Sequence, residues 1–151
     1  LIAEAERAGT PVMRPVFYHY DEPPAYAEKT EYLLGRDMLI APVLKEGAAA
    51  RAVYLPEDML MVRFRSGSDY DLVPMVKGDH YIELKLGEFP LFIKKGRAIP
   101  LGSGGENIDE LKENDFQMLG WEAKGAEYEL YQDDGRSTYP TLEGHLISLY
   151  A

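Results

Sequence analysis

The rhythm of this chain constrains it more than any motif does. Short segments rich in β-branched and aromatic residues recur with turn-forming residues between them, roughly every 8 to 12 positions. Leu60 to Arg65 alternates cleanly, with Val62 and Phe64 on one face and Arg63 and Arg65 on the other. His80 to Leu86 does the same, setting Ile82, Leu84 and Leu86 against Glu83, Lys85 and Gly87. Met38 to Leu44 is instead nearly continuous in apolar residues and broken at Pro42, the pattern of a strand buried on both faces or beside an edge. Arg51 to Leu55, Tyr70 to Val73, Pro90 to Ile93, Ala98 to Leu101, Phe116 to Glu122, Tyr128 to Tyr131 and His145 to Tyr150 complete the series. The fold class that follows is all-β, an antiparallel β-sandwich.

Helical signals are concentrated near the start. Leu1 to Ala8 reads as the last turns of a helix, with Arg7 well placed at the negative end of the dipole and Gly9 as the residue after the cap. This stretch has neither an initiator Met nor a signal-peptide pattern, so it is expected to end an element that begins upstream. Val12 to Tyr20 reads as a strand whose Pro15 must lie at an edge or bulge. Ala25 to Leu34 reads as a short helix entered through a proline and ended by Gly35. Gly102-Ser103-Gly104-Gly105 is a linker, after which Asn107 and Glu110 have capping-box spacing. The expected organisation is a helix end and link (1–11), a sandwich (12–101), a linker (102–106) and a small distal β element (107–151). That element should pack on the sandwich, because about 50 residues make a marginal core.

Composition excludes several partners. The formal net charge of −10 argues against nucleic acid and anionic membrane surfaces, both of which need clustered Lys and Arg. No run of apolar residues is long enough to span a bilayer. With no cysteine among 151 residues, disulfides and thiolate metal sites are ruled out. That favours a reducing compartment, cytoplasmic rather than secreted.

Few residues suggest chemistry. Asp133-Asp134 is the most tempting pair, since glycoside hydrolysis uses paired carboxylates. Adjacent strand residues point to opposite faces, however, and Asp134-Gly135 is a hairpin-turn dipeptide, so a turn-and-cap role outweighs a catalytic one. A calcium site using Asp133, Asp134 and Ser137 would be short of oxygen ligands. His19, His80 and His145 are isolated and lack metal-ligand spacing. The glycines at 102–105 lack phosphate-loop spacing. Lys94, Lys95 and Arg97 read as a solvated turn. Eleven tyrosines and Trp121 could stack on sugars, but aromatics at alternating strand positions are more often core. Taken alone, the residues describe an all-β accessory domain that supplies no catalytic residue, metal site or cofactor site.

Five segments, in order, resemble the C-terminal region of glycoside hydrolase family 31, the α-glucosidases and their relatives. Ala8 to Phe17, with Arg14-Pro15, resembles the family's G-x-P-V-x-R-P-L-F segment. Tyr32 to Leu44, with Gly35 and Pro42, resembles F-L-L-G-x-x-L-L-V-A-P-V. Val53-Tyr54-Leu55-Pro56 matches V-Y-L-P. Phe89 to Leu101, with Pro90, Gly96 and Pro100, resembles I-P-L-F-V-R-x-G-x-I-I-P. Leu130 to Gly135, with Asp133 and Asp134, resembles L-Y-E-D-D-G. One departure is that Met59 to Phe64 stands where the family often carries W-Y-D.

The resemblance implies a parent enzyme with a (β/α)8 catalytic barrel that cleaves oligosaccharides at terminal α-linked glucosyl residues with retention. One carboxylate would attack the anomeric carbon while a second serves as acid, then base. Both would lie upstream of Leu1, so no catalytic position is carried over, and the motif residues named above are structural. The barrel would be this region's partner. Met38 to Leu44, Pro90 to Ile93 and the tyrosine-rich first strand carry more apolar area than a lone sandwich needs, and burying one face against the barrel would account for it. Two other classes compete: a carbohydrate-binding module using exposed aromatics, and an oligomerising domain.

Overall fold

A computed structural model of the chain describes residues 1–66, 69–84, 88, 90–102, 116–132 and 145–150. Helix α1 (Ile2–Ala8) ends at Gly9, whose φ of 65° is the left-handed conformation expected of that glycine. The helix buries none of its residues. Strand β1 (Met13–Pro15) then runs along one edge of the main sheet and pairs only with β2 (Tyr32–Leu34). Pro15, which has no N–H to donate, thus sits on an edge strand.

Two elements differ from the sequence reading. The strand expected over Val12 to Tyr20 stops at Pro15 and becomes a single 3-10 turn, Val16–Tyr18. The turn buries Val16 and leaves Phe17 and Tyr18 outside. The helix expected over Ala25 to Leu34 is only α2 (Pro23–Ala27), with prolines at its first two positions. Glu28 then folds back, its Oε1 accepting from the Thr30 N–H at 2.5 Å and the Thr30 hydroxyl at 2.7 Å. The chain then continues as β2, paired with β1 on one side and β3 on the other, and Gly35 ends a strand instead of a helix.

The main sheet holds six strands in the order β1, β2, β3 (Met38–Ile40), β8 (Leu91–Lys94), β5 (Met59–Ser66) and β6 (Asp69–Met75), with antiparallel neighbours. A second ladder pairs β4 (Ala50–Leu55) with β7 (Gly78–Glu83). Strand β9 (Ala98–Gly102) pairs with β10 (Phe116–Gly120), so the segments flanking the glycine-rich linker are hydrogen-bonded to one another. Strand β11 (Glu127–Gln132) pairs with β12 (His145–Tyr150).

Strand alternation sorts the central residues into two cores. Leu33, Leu39, Met59, Met61 and Phe92 face one way and meet Val53 and Leu55 of β4 and Ile82 of β7. Their sequence neighbours Ile40, Leu60, Val62, Leu91 and Ile93 face the other way and meet Ile99 of β9 and Leu119 of β10. The main sheet is therefore covered on both sides by the chain itself, the arrangement that continuous apolar strands require. Of the apolar excess expected to face a barrel, Met38 to Ile40 and Leu91 to Ile93 are consumed internally. Val43 and Leu44 at the end of the first run and Met13, Phe17, Tyr18 and Tyr26 of the first segment stay exposed, as do Leu72, Val73, Val76 and Tyr81 on and between β6 and β7.

Candidate docking site and family motifs

Arg14 is 3% exposed although it lies in an edge strand. Its Nε donates to the Pro11 carbonyl at 2.6 Å, and its Nη2 donates to Glu4 Oε1 and to Thr10 Oγ1, both at 3.2 Å. Nη1 lies 2.9 Å from His19 Nε2, and the guanidinium carbon sits 5.5 Å from the centre of the Tyr18 ring. Glu4 Oε1 also accepts from Arg36 at 2.9 Å. Burial works against the Glu4 charge, but hydrogen bonds from Arg36 and Arg14 prevail and hold its carboxyl below the ordinary value. α1 has no fully buried residue, and this ionic cluster ties it to the sandwich.

A second cluster fastens the first segment to the main sheet. The Tyr20 hydroxyl donates to Glu57, whose Oε1 is 3.5 Å from Lys94 Nζ, and that ammonium lies 4.9 Å from the Tyr20 ring centre. Burial is the largest influence on Lys94 and lowers its pKa, against the pull of Glu57.

Glu31 is unlike these paired groups. Its side chain has no solvent exposure. Oε1 accepts from the Tyr54 N–H at 3.0 Å and from Arg51 Nη2 at 3.2 Å. Among the described residues, Oε2 is the buried side-chain polar atom without a hydrogen-bond partner. Desolvation pushes the carboxyl up to about 7, offset in part by the Tyr54 N–H and Arg51. Glu31 lines an open groove of about 390 Å³ together with Met13, Arg14, Pro15, Tyr32 and Leu44. The rim is mixed, with Met13 58% and Leu44 69% exposed beside the exposed Lys29 and Thr30.

Most motif residues fall at strand ends. Gly35 makes the β2–β3 turn with φ of 66°, and its N–H donates to the Val12 carbonyl at 2.8 Å. Pro42 follows β3, and its carbonyl accepts from Arg51. Pro56 is buried between β4 and β5. The Pro90 carbonyl accepts from the Ala41 N–H at 3.1 Å as β8 begins. Gly96, with φ of 76°, turns β8 into β9 and donates its N–H to the Trp121 carbonyl at 2.8 Å. Pro100 stands opposite Met118 in the β9–β10 ladder. Asp133, Asp134 and Gly135 lie outside the described residues, as does the capping pair Asn107 and Glu110.

The other candidates take structural places. Trp121 packs on the second core, and Lys95 Nζ sits 4.7 Å from its ring centre. His80 Nε2 lies 2.7 Å from the Val76 carbonyl. Among the described residues, no group of three His, Cys, Asp or Glu is placed to hold a metal. Sequence reasoning missed Glu4, Glu31 and Glu57. Only contacts between distant segments distinguish these from the other acidic residues of the chain, so no local pattern pointed to them.

Comparison with known proteins agrees with this architecture. The glycosyl hydrolase family 31 C-terminal domain matches residues 9–99. Alpha-glucosidase 2 of Bacillus thermoamyloliquefaciens is 34% identical over 155 aligned residues, which cover 99% of this chain and 19% of that protein. A sulfoquinovosidase of Agrobacterium fabrum is 42% identical over 95 residues, covering 62% of this chain and 14% of its own length. Among solved structures, the family 31 dextranase of Flavobacterium johnsoniae superposes with a TM-score of 0.70 at 26% identity, covering 90% of this chain and 17% of that one. The chain thus spans less than a fifth of the length of these relatives. It belongs to glycosyl hydrolase family 31, as that family's C-terminal domain.

Proposed function

We propose that this domain supports the (β/α)8 barrel of a retaining α-glucosidase-type glycoside hydrolase, which removes terminal α-linked glucosyl residues from oligosaccharides. Both catalytic carboxylates belong to the barrel, and a two-carboxylate mechanism calls for no cofactor. The observation that carries this reading is coverage: 99% of the chain aligns with under a fifth of an α-glucosidase. The acidic groups at the N-terminal side are also committed to structure, Glu4 to Arg14 and Arg36, and Glu57 to Tyr20 and Lys94. Division into a sandwich (12–101) and a distal element (107–151) goes with this reading. The lack of cysteine supports a cytoplasmic location.

A second substrate class has its own support, since sulfoquinovosidases of Agrobacterium fabrum and Escherichia coli match parts of the chain at 42% and 52% identity. The test is the full-length parent assayed on chromogenic α-glucoside and α-sulfoquinovoside. Preference for the glucoside is expected, and preference for the sulfonated sugar moves the parent to the second class. A carbohydrate-binding module has less behind it, because Trp121 packs on a core and is covered by Lys95.

A further inference from the structure

We propose that Arg14 and His19 form an acid-released latch on helix α1. With its ring neutral, His19 holds the Arg14 guanidinium against Glu4; with the ring protonated, that hold is lost and the helix leaves its buried clasp. The latch stands independently of the function proposed above.

Arg14 is 3% exposed, and each guanidinium nitrogen has a partner. Nε donates to the Pro11 carbonyl, Nη2 to Glu4 Oε1 and Thr10 Oγ1, and Nη1 to His19 Nε2 at 2.9 Å. A guanidinium accepts nothing, so the contact with His19 exists only while Nε2 keeps its lone pair. A proton there sets donor against donor and cation against cation. Whether the ring then turns aside or stays, Nη1 loses its acceptor in a buried position. The His19 ring is itself exposed, so a proton reaches it from solvent without any opening of the fold. Arg14 of β1, Arg36 of the β2–β3 turn and Lys94 of β8 face it as cations, and Glu4 of α1 as an anion.

Helix α1 is the element that responds. It has 7 residues, none of them buried, and is too short to persist without outside support. Leu1 lies over Gly35, and Glu4 is gripped by the buried Arg14 and by Arg36. The Arg36 side chain is 58% exposed, and salt screens such a pair. After release, Glu4 hangs on that weaker partner. Glu4 itself stays charged at this point, because its carboxyl lies below the ordinary 4.5 while the ordinary value of the imidazole is 6.5. Release in mild acid therefore belongs to His19.

The experiment is hydrogen–deuterium exchange of the full-length parent, read on the peptide spanning residues 2–9 and corrected for the pH dependence of intrinsic exchange. The Ala5 and Gly9 N–H groups, which donate to the Leu1 and Ala5 carbonyls, report the helix. Between pH 7.5 and 5.5 their protection should drop about tenfold, while peptides of β5 and β8 keep theirs. In His19→Gln, whose amide oxygen accepts from Arg14 at either pH, protection of α1 should stay level. Glu4→Gln should weaken that protection already at pH 7.5 and remove its pH dependence. Unchanged protection in the wild type, an equal loss in β5 and β8, or a pH-dependent loss that survives in either variant overturns the latch.

Discussion

Nη1 of Arg14 lies 2.9 Å from Nε2 of His19. A guanidinium only donates, so this nitrogen of His19 holds a lone pair and the ring is neutral in the fold. Burial, reinforced by Lys94, Arg14 and Arg36, lowers the His19 pKa from its ordinary 6.5. The unfolded chain therefore takes up the proton first as pH falls. The stability tied to neutral His19 is complete above the unfolded value and is lost as pH drops through about 6.5 toward the lowered folded value. Urea midpoints in a Glu31→Gln background should fall between pH 7.5 and 5.5, and His19→Gln should flatten that decline. Equal slopes would refute the assignment.

Glu31 acts in the opposite sense. Its folded value, about 7, exceeds the ordinary 4.5, so between the two the folded chain binds more protons than the unfolded one. Its contribution is full below 4.5 and disappears as pH rises through 7. In the 151-residue chain, Glu31→Gln should add about 1–2 kcal/mol at pH 8 and almost nothing at pH 4.5. Urea denaturation followed at Trp121, the one tryptophan of the chain, reads this directly.

Arg14 should not tolerate lysine. Its guanidinium makes four polar contacts from a buried position, and a single ammonium cannot reproduce that fork. Both Arg14→Lys and Arg14→Ala are expected to lose about 2–4 kcal/mol, chiefly by stranding the Pro11 carbonyl and breaking the buried fork, since Glu4 keeps Arg36. A thermal melt of Arg14→Lys within a degree of wild type would contradict this.

Two glycines separate backbone strain from crowding. Gly96 has φ of 76° with open space where a Cβ would stand, so Gly96→Ala should cost about 1 kcal/mol from conformation alone. A Cβ on Gly120 would lie 2.6 Å from the Arg97 carbonyl oxygen and 2.8 Å from the Ala123 Cβ. Gly120→Ala should therefore cost more, about 1–3 kcal/mol, by prising β10 from the β8–β9 turn. The order of the two denaturation midpoints is the check.

What could be read in the sequence was what local chemistry decides. Alternation in Leu60 to Arg65 announced a strand, the continuous run at Met38 announced a strand buried on both faces, and Gly9 announced the helix end. The failures came where non-local bonding overrode a local pattern. Tyr32 to Leu34 look able to continue a helix, yet Arg14 and Leu39 offer them partners on both sides as a strand. The covering of the second face by β9 and β10 was hidden because it depends on a pairing across the linker. Glu31 could not be singled out at all, since its isolation is a property of the assembled fold.

The central claim is that this domain supports a sugar-cleaving barrel without contributing to the bond-breaking step. Turnover of a chromogenic α-glucoside, measured on the full-length parent, on its Asp133→Asn and Asp134→Asn variants and on the 151-residue chain, tests it most directly. Hydrolysis is predicted for the parent and, at a comparable rate, for both variants, with none for the chain. Hydrolysis by the chain itself, or its loss from the parent on changing either aspartate, would contradict the claim.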